Sequence, residues 1–215
     1  MPRPISRPCL AVITDRTLLP SGWALAQAVS AAVTGGVDMV LFQEADLPPV
    51  HRKTVCEFLV DGIRGRADLI VAESVILFSQ VNAQGAHLHS NVASIPAVRE
   101  SVGPESLIGF TAQTLEEASD AEKLGADYLL VCLNWAEPDA ALATLTKYVG
   151  ATYLPIMAGA DTPLGHVGAC MASGASGVAV IARAMAGEHA AKEMQLYRDA
   201  LDATITIQSG GVGNV

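Results

Sequence analysis

The sequence predicts a single-domain (β/α)8 barrel, because one pattern recurs along most of its length. In this pattern a helical stretch ends at a glycine, a small residue follows, and a short apolar run begins. The pattern occurs at residues 35–41, 85–88, 125–131 and 174–180. Further apolar runs lie at residues 10–14, 69–72, 107–110 and 154–158. Glycine supplies the left-handed conformation that ends many helices, and continuous apolar runs are typical of strands buried in a parallel sheet.

Eight strands follow from these runs, and helical stretches lie between them. The strands are predicted to begin near residues 10, 39, 69, 86, 107, 128, 154 and 177. Residues 23–34 and 53–64 have the length and periodicity of amphipathic helices, and a short apolar third helix is expected around residues 75–82. Eight alternating strand–helix units are typical of a closed barrel, and an open doubly wound sheet is the alternative.

The second half of the chain carries the clearer helix signals. Thr114 and Glu117 have the spacing of a capping box, which predicts a helix that ends at Gly125. Pro163 suits the first turn of a seventh helix, and residues 188–203 are predicted to form the eighth. The predicted organisation is an N-terminal extension at residues 1–9, the barrel at residues 10–203 and a flexible C-terminal tail at residues 204–215.

The composition and net charge limit the kinds of partner that are expected. The chain has 13 Lys and Arg against 22 Asp and Glu, a net charge of −9, which argues against a nucleic-acid partner. No apolar run approaches the ~18 residues of a membrane span, and residues 1–8 do not resemble a secretory signal. Cys9, Cys56, Cys132 and Cys170 are widely spaced, which predicts reduced thiols in a cytoplasmic protein. The expected partner is a small molecule, and a homo-oligomer is left open.

Residues at the carboxyl ends of the strands form the candidate site, because the chemistry of such barrels lies there. The positions predicted to contact a substrate are Gln43, Thr111, Cys132 and Asn134. The loops after the seventh and eighth strands often hold phosphate on backbone N–H groups. The positions predicted to bind phosphate in this way are Gly159, Ala160, Ala182 and Arg183. The alternative is that these small residues merely close the rim of the barrel.

Two histidines, two residues apart, place both side chains on one face of the fourth strand. With Glu73 and Cys132 nearby, His87 and His89 suggest a metal site of N, O and S ligands. The alternative for His87 is a core histidine bonded to its surroundings. Cys132 ends an apolar strand, which favours a buried structural thiol over a nucleophile. The four lysines all fall in predicted helices, which excludes a Schiff-base aldolase of the small barrel type.

Several short motifs occur in the order seen in one known family. They are Val-Ile-Thr-Asp at 12–15, Gly-Gly-Val at 35–37, Gly-Ala-His-Leu at 85–88, Gly-Phe-Thr at 109–111, Thr-Leu-Glu-Glu-Ala at 114–118, Gly-Ala-Asp-Tyr at 125–128, Leu-Pro-Ile at 154–156 and Gly-Ala-Ser-Gly-Val-Ala-Val at 174–180. On these motifs the chain resembles the thiamin phosphate synthase and thiazole tautomerase (TenI-like) family over residues 10–185. The resemblance implies a role in thiamin biosynthesis, through C–N bond formation with loss of pyrophosphate or through a TenI-like isomerisation. It also implies Mg²⁺ as cofactor.

The motifs that carry catalysis in this family are altered. The family's Gln-Leu-Arg-x-Lys-Asp segment, whose Arg and Lys hold pyrophosphate, aligns with residues 41–46, where only Asp46 matches. Its Asn-Asp pair after the third strand aligns with Ala72 and Glu73, and its second magnesium carboxylate aligns near Val92. Because a departing pyrophosphate needs cations and Mg²⁺ to stabilise its charge, little synthase activity is expected.

Further positions depart from the family pattern. The Thr-x-Thr-Lys segment after the sixth strand is absent from residues 134–139, and the catalytic His of the tautomerase branch aligns with Leu133. The Gly-Gly pair after the seventh strand aligns with Ala160 and Asp161, and that carboxylate would repel a phosphate. His89 stands where the family has Gly, which makes it the better candidate for acid–base chemistry.

The sequence therefore predicts a divergent thiamin phosphate synthase/TenI-like barrel that binds a small heterocycle, phosphorylated or not. Asp46, Glu73 and His89 are predicted to carry whatever chemistry remains. One alternative is a catalytically silent binding or regulatory barrel. Another is a repurposed lyase or isomerase, metal-dependent in one version, that uses His89 and Glu73.

Overall fold

The computed structural model describes residue 5 and residues 8–210, with side chains through residue 205, and it forms a closed barrel of eight parallel strands. The strands are β1 Cys9–Ile13, β2 Met39–Phe42, β3 Asp68–Ala72, β4 Gly85–Leu88, β5 Leu107–Thr111, β6 Tyr128–Cys132, β7 Ile156–Gly159 and β8 Gly177–Val180. Strand β1 pairs with both β2 and β8, which closes the sheet. The predicted (β/α)8 barrel is confirmed, and the alternative of an open sheet is wrong.

Eight helices surround the barrel. They are α1 Leu25–Thr34, α2 Pro49–Ile63, α3 Val75–Gln80, α4 Ile95–Val102, α5 Leu115–Lys123, α6 Pro138–Ala151, α7 Val167–Ala172 and α8 Ala190–Gly210. The predicted capping box of α5 is present, since Thr114 Oγ1 accepts from the N–H of Glu117 and a Glu117 carboxylate oxygen accepts from the N–H of Thr114. All four lysines lie in helices, as predicted, so no lysine stands at a strand end.

Three helix ends differ from the prediction by four residues or more. Helix α2 begins at Pro49, four residues before the predicted start, because proline suits the first turn, where its missing N–H costs nothing. Pro163 precedes a short 3-10 turn, and α7 begins only at Val167. Helix α8 was predicted to end at Ala203 but continues to Gly210, since neither glycine nor proline interrupts it earlier. Residues 1–4, 6 and 7 of the predicted N-terminal extension and residues 211–215 of the predicted tail lie outside the described residues.

Alternation along the strands divides the core into two layers. Phe42 and Phe110 are fully buried in the outer layer, between the barrel and its helices. Met39, Leu41 and Tyr128 belong to the inner layer, which fills the barrel. Side chains alternate across a strand. The row of side chains that points into the barrel therefore leads, at the carboxyl ends of the strands, to the side chains that point into the mouth. No helix among the described residues is long and apolar enough to cross a membrane.

The aspartate in the recurring glycine motif joins neighbouring strands at their amino ends. Asp38 accepts from the N–H of Leu10 at 2.8 Å, and Asp127 accepts from the N–H of Ile108 at 2.7 Å. An arginine from a surrounding helix also binds each carboxylate: Arg198 at 2.9 Å from Asp38, and Arg99 at 2.6 Å from Asp127. The motif therefore supports the end of the barrel opposite the candidate site.

Candidate functional site

Four polar side chains from β4, β5 and β6 form a hydrogen-bonded chain that rises from the barrel interior to its mouth. His87 Nδ1 lies 3.0 Å from the Tyr128 hydroxyl, and His87 Nε2 lies 2.8 Å from Thr111 Oγ1. Thr111 Oγ1 also lies 3.0 Å from His89 Nδ1. His87, Tyr128 and Thr111 are buried, while His89 is half-buried. His87 is thus a core histidine bonded to its surroundings, which was the alternative to a metal ligand.

The Thr111 hydroxyl contacts both histidines, so the position of its proton decides which nitrogen of each ring carries a hydrogen. A hydroxyl has one proton, so when Thr111 donates it to His87 Nε2, the Nδ1–H of His89 donates to Thr111 in return. In that arrangement His89 Nε2 is a bare acceptor. This Nε2 atom is buried and has no hydrogen-bond partner within the described part of the chain. His89 is therefore the histidine of this network whose ring keeps a nitrogen without a hydrogen-bond partner.

Burial favours the neutral form of both imidazoles because it lowers their pKa values. Desolvation lowers the pKa of His87 well below its usual range, and the neighbouring His89 lowers it further. Desolvation also lowers the pKa of His89, although the charge of Glu73 opposes that effect. Glu73 has a left-handed backbone, with φ of 53°, and its carboxylate accepts from the backbone N–H of His89. The structure thus brings Glu73 and His89 together, as the sequence predicted.

These pKa shifts predict that the protein loses stability as the pH falls below about 6.5, the pKa of a histidine in an unfolded chain. Below that value the unfolded state binds more protons than the folded state, so protons favour unfolding. The loss is at most about 1.4 kcal/mol per pH unit for each histidine, and it ends at the folded-state pKa. Urea unfolding measured between about pH 5 and pH 8 checks it.

Two variants test whether the buried histidines cause this pH dependence of stability. His87→Gln removes one buried imidazole and is expected to reduce the slope of unfolding free energy against pH. His51→Gln removes an exposed imidazole on α2 and is expected to leave the slope unchanged. An unchanged slope in His87→Gln, or a flat profile in the unmodified protein, would contradict the assignment.

Arg16 binds both carboxylates that follow β2. Its Nη1 lies 2.9 Å from Glu44 Oε2 and 2.6 Å from Asp46 Oδ1, and its Nη2 lies 2.5 Å from Asp46 Oδ2. Glu44 is only 2% exposed and also accepts from the backbone N–H of Arg16. The hydrogen bonds from Arg16 hold the pKa of Asp46 below its usual range. Sequence reasoning assigned a role to Asp46 but none to Arg16 or Glu44, although these two residues follow the ends of β1 and β2.

The described residues do not fit a Mg²⁺ ion. Both carboxylate oxygens of Asp46 are bound by Arg16, and one oxygen of Glu73 is bound by a backbone N–H. Val92 stands where the resemblance places a second carboxylate. Within residues 8–205, no three Asp, Glu, His or Cys side chains converge as metal ligands do. The contacts of these residues therefore do not support the Mg²⁺ that the resemblance implies.

Gln43, Cys132 and Asn134 are all exposed at the carboxyl ends of β2 and β6. The Asn134 side chain accepts from the N–H of Ala136, which starts the loop into α6. The expectation that Cys132 is buried is wrong, because the strand ends at this residue and its side chain opens into the mouth. Partial desolvation still raises the pKa of its thiol, which does not favour a nucleophile.

The residues predicted to bind phosphate lie at the ends of β7 and β8, but their surroundings differ from the expectation. The backbone N–H of Ala182 donates to Asp161 Oδ1 at 3.0 Å. Arg183 is exposed and lies 3.4 Å from Glu193 on α8. A Cβ at Gly159 would lie 2.8 Å from Leu130 Cδ1, so packing inside the barrel accounts for this glycine. The loops border a cleft of about 370 Å³ beside α8.

Comparisons with known proteins agree with this geometry. The family described as thiamine monophosphate synthase matches residues 10–184, and the chain belongs to this family. The thiamine-phosphate synthase of Syntrophomonas wolfei is 30% identical over an alignment of 184 residues that covers 82% of this chain and 88% of that protein. The thiamine-phosphate synthase of Caldanaerobacter subterraneus is 28% identical over an alignment of 198 residues that covers 88% of this chain and 92% of that protein.

Solved structures place the chain in the same group. The thiamine phosphate pyrophosphorylase from Pyrococcus furiosus superposes with a TM-score of 0.80 at 28% identity, over 92% of this chain and 97% of that one. A structure titled native KDPGal superposes with a TM-score of 0.75 at 15% identity, over 96% of this chain and 100% of that one, which shows the shared fold alone. The resemblance read from the short motifs is confirmed at the level of the family.

Proposed function

We propose that this protein is a divergent member of its family that binds a small heterocycle at the barrel mouth and displaces pyrophosphate poorly. The observation that carries the proposal is the pairing of Arg16 with Glu44 and Asp46. Pyrophosphate needs positive charge that is free to receive it, and here the arginine is already bound by two carboxylates. Gln43 and Ala45 stand where the resemblance expects the two cations.

The shape of the barrel supports binding at the mouth rather than inside. The space enclosed by the inner layer is about 10 Å³, which is at most the volume of one water. A heterocycle must therefore lie above His87. His89, which follows β4, has a buried Nε2 without a partner among the described residues, and the Gln43 side chain is exposed at the end of β2. A ring nitrogen or an exocyclic amine is the kind of group these side chains can bind.

Acid–base isomerisation is the second candidate, and one observation favours it. Burial lowers the pKa of His89, one of its ring nitrogens has no partner among the described residues, and Glu73 is held beside its backbone. Such a pair can move a proton within a bound heterocycle without any pyrophosphate. The third candidate, a catalytically silent barrel, differs from both only in having no turnover.

A ligand screen by thermal shift tests the proposal, with and without Mg²⁺. The ligands are the pyrimidine and thiazole halves of thiamin, each with and without its phosphate groups, together with thiamin phosphate and pyrophosphate. A ligand present at about 100 times its Kd is expected to stabilise the protein by about 2.7 kcal/mol, which shifts the melting temperature measurably. At least one heterocycle is expected to give this shift.

The site of binding is tested by two variants. His89→Ala removes the unpartnered nitrogen and is expected to abolish most of the shift. His51→Ala, on the exposed face of α2, is expected to keep it. A folded protein that responds to no heterocycle would contradict the proposal, and so would an undiminished response in His89→Ala.

A further inference from the structure

The carboxylate of Asp161 occupies a pair of backbone donors at the end of β8. Its Oδ1 accepts from the N–H of Ile181 at 2.8 Å and from the N–H of Ala182 at 3.0 Å. In barrels of this kind, N–H groups in the loops after the seventh and eighth strands commonly hold a phosphate group of the ligand. Here an anion that belongs to the protein already uses these donors.

The backbone holds Asp161 in this position. Its φ of 60° lies in the left-handed region, where Asp, Asn and Gly are favoured over other residues. The next residue, Thr162, is fully buried and is bound through its N–H to the carbonyl of Ala179 and through its hydroxyl to the carbonyl of Ala158. The hydroxyl of Tyr197, from α8, donates to the Thr162 carbonyl at 2.8 Å. A buried anchor thus directly follows the carboxylate.

The charges around the cleft also disfavour a phosphate. Arg183 is the cation that lines it, and Glu193 from α8 lies 3.4 Å from Arg183. A phosphate entering the cleft would meet the charges of Asp161 and Glu193 as well as that of Arg183. Binding would first require Asp161 to leave two charge-assisted hydrogen bonds, which are among the stronger ones in proteins.

We infer that Asp161 is a specificity-determining residue that excludes phosphate from these donors, so that the protein takes its heterocycle in the unphosphorylated form. The exclusion of phosphate stands on the contacts of Asp161 alone. The choice of an unphosphorylated heterocycle rests in addition on the proposed function. The two parts are therefore tested with different probes.

Inorganic phosphate is the probe for the first part, and its affinity is measured by calorimetric titration at fixed ionic strength. Asp161→Gly suits the left-handed backbone and frees both N–H groups, so we expect it to bind phosphate at least about tenfold more tightly than the unmodified protein. Asp161→Asn keeps an oxygen that can accept from both groups and is expected to gain less than the glycine variant. Asp139→Asn, an exposed charge on α6, is the control for net charge and is expected to gain nothing.

Two results would overturn the exclusion. One is a phosphate affinity of the unmodified protein equal to that of Asp161→Gly. The other is a gain in Asp161→Asn as large as in Asp161→Gly, since this would assign the effect to charge rather than to the occupied donors.

The thiazole alcohol and its phosphate are the probes for the second part. The unmodified protein is expected to prefer the alcohol by about tenfold or more, and Asp161→Gly is expected to reduce or reverse this preference. A preference of the unmodified protein for the phosphate would overturn the inference while leaving the proposed function standing. If neither form binds although Asp161→Gly gains phosphate, the preference for an unphosphorylated thiazole is overturned and the exclusion of phosphate stands. The proposed function then fails only if the pyrimidine ligands and thiamin phosphate also give no thermal shift.

Discussion

The purified protein is expected to form thiamin phosphate at least about 10⁴-fold more slowly than the thiamine-phosphate synthase of Syntrophomonas wolfei measured beside it. Removal of one preorganised electrostatic donor costs about 10²–10³ in rate. Two cations of the family segment are replaced by Gln43 and Ala45. If the two losses act independently, their lower values multiply to about 10⁴, which is the expected combined loss. Product formation from the pyrimidine pyrophosphate and the thiazole phosphate, with Mg²⁺ present, measures it.

A double variant separates this explanation from a general loss of activity. Gln43→Arg with Ala45→Lys returns both cations and is expected to raise whatever rate the unmodified protein shows. Lys53→Arg, on α2 and away from the mouth, exchanges one cation for another and is expected to change nothing. A rate of the unmodified protein within about tenfold of the rate of the Syntrophomonas wolfei enzyme would contradict the prediction. It would mean that Arg16 leaves its two carboxylates and takes part in the reaction.

Gly109→Ala is expected to destabilise the protein by about 3 kcal/mol or more. A Cβ at this position on β5 would contact the ring and hydroxyl of Tyr128 and Nδ1 of His87. Both side chains are buried and bonded to each other, so neither can move without breaking the network. Overpacking of a core costs about 1–3 kcal/mol, and a buried polar group left without its partner adds a similar amount. The midpoint of urea unfolding measures the change.

Gly150→Ala is the matched control. A Cβ at Gly150 has no atom within 4 Å, and the residue lies inside α6, so the change to alanine is expected to stabilise the helix by about 0.5–1 kcal/mol. Equal stability of the Gly109→Ala variant and the unmodified protein would contradict the packing described around His87. Gly109 is the glycine of the Gly-Phe-Thr motif, so the experiment also tests whether this motif needs glycine to make room for His87 and Tyr128.

Local signals made the fold predictable. Each strand is an apolar run of four or five residues, and several follow a glycine that ends a helix, so neighbouring residues carry the information. The capping box at Thr114 and Glu117 is equally local. The predicted start of α2 and the predicted end of α8 were wrong. The helices extend to Pro49 and beyond Ala203 because the backbone can continue as helix where the periodic pattern of apolar residues ends.

The candidate site was predictable only in part. Position at a strand end placed Gln43, His89 and Thr111 at the mouth, since alternation along a strand decides which side chains continue upward from the interior. The sequence does not predict the exposure of Cys132, because Cys132 continues an apolar run and such runs are typical of buried strands. It is exposed because the barrel wall ends there.

By itself, the sequence determined the barrel and the family, because both depend on residue identity and on spacings within one strand–helix unit. Only the tertiary structure decided how the remaining charges at the mouth are paired. Arg16 meets Asp46 across 30 residues, and Asp161 meets the N–H of Ile181 across 20. The physical reason is that these bonds join neighbouring strand ends, and those ends come within hydrogen-bonding distance only when the sheet folds and closes.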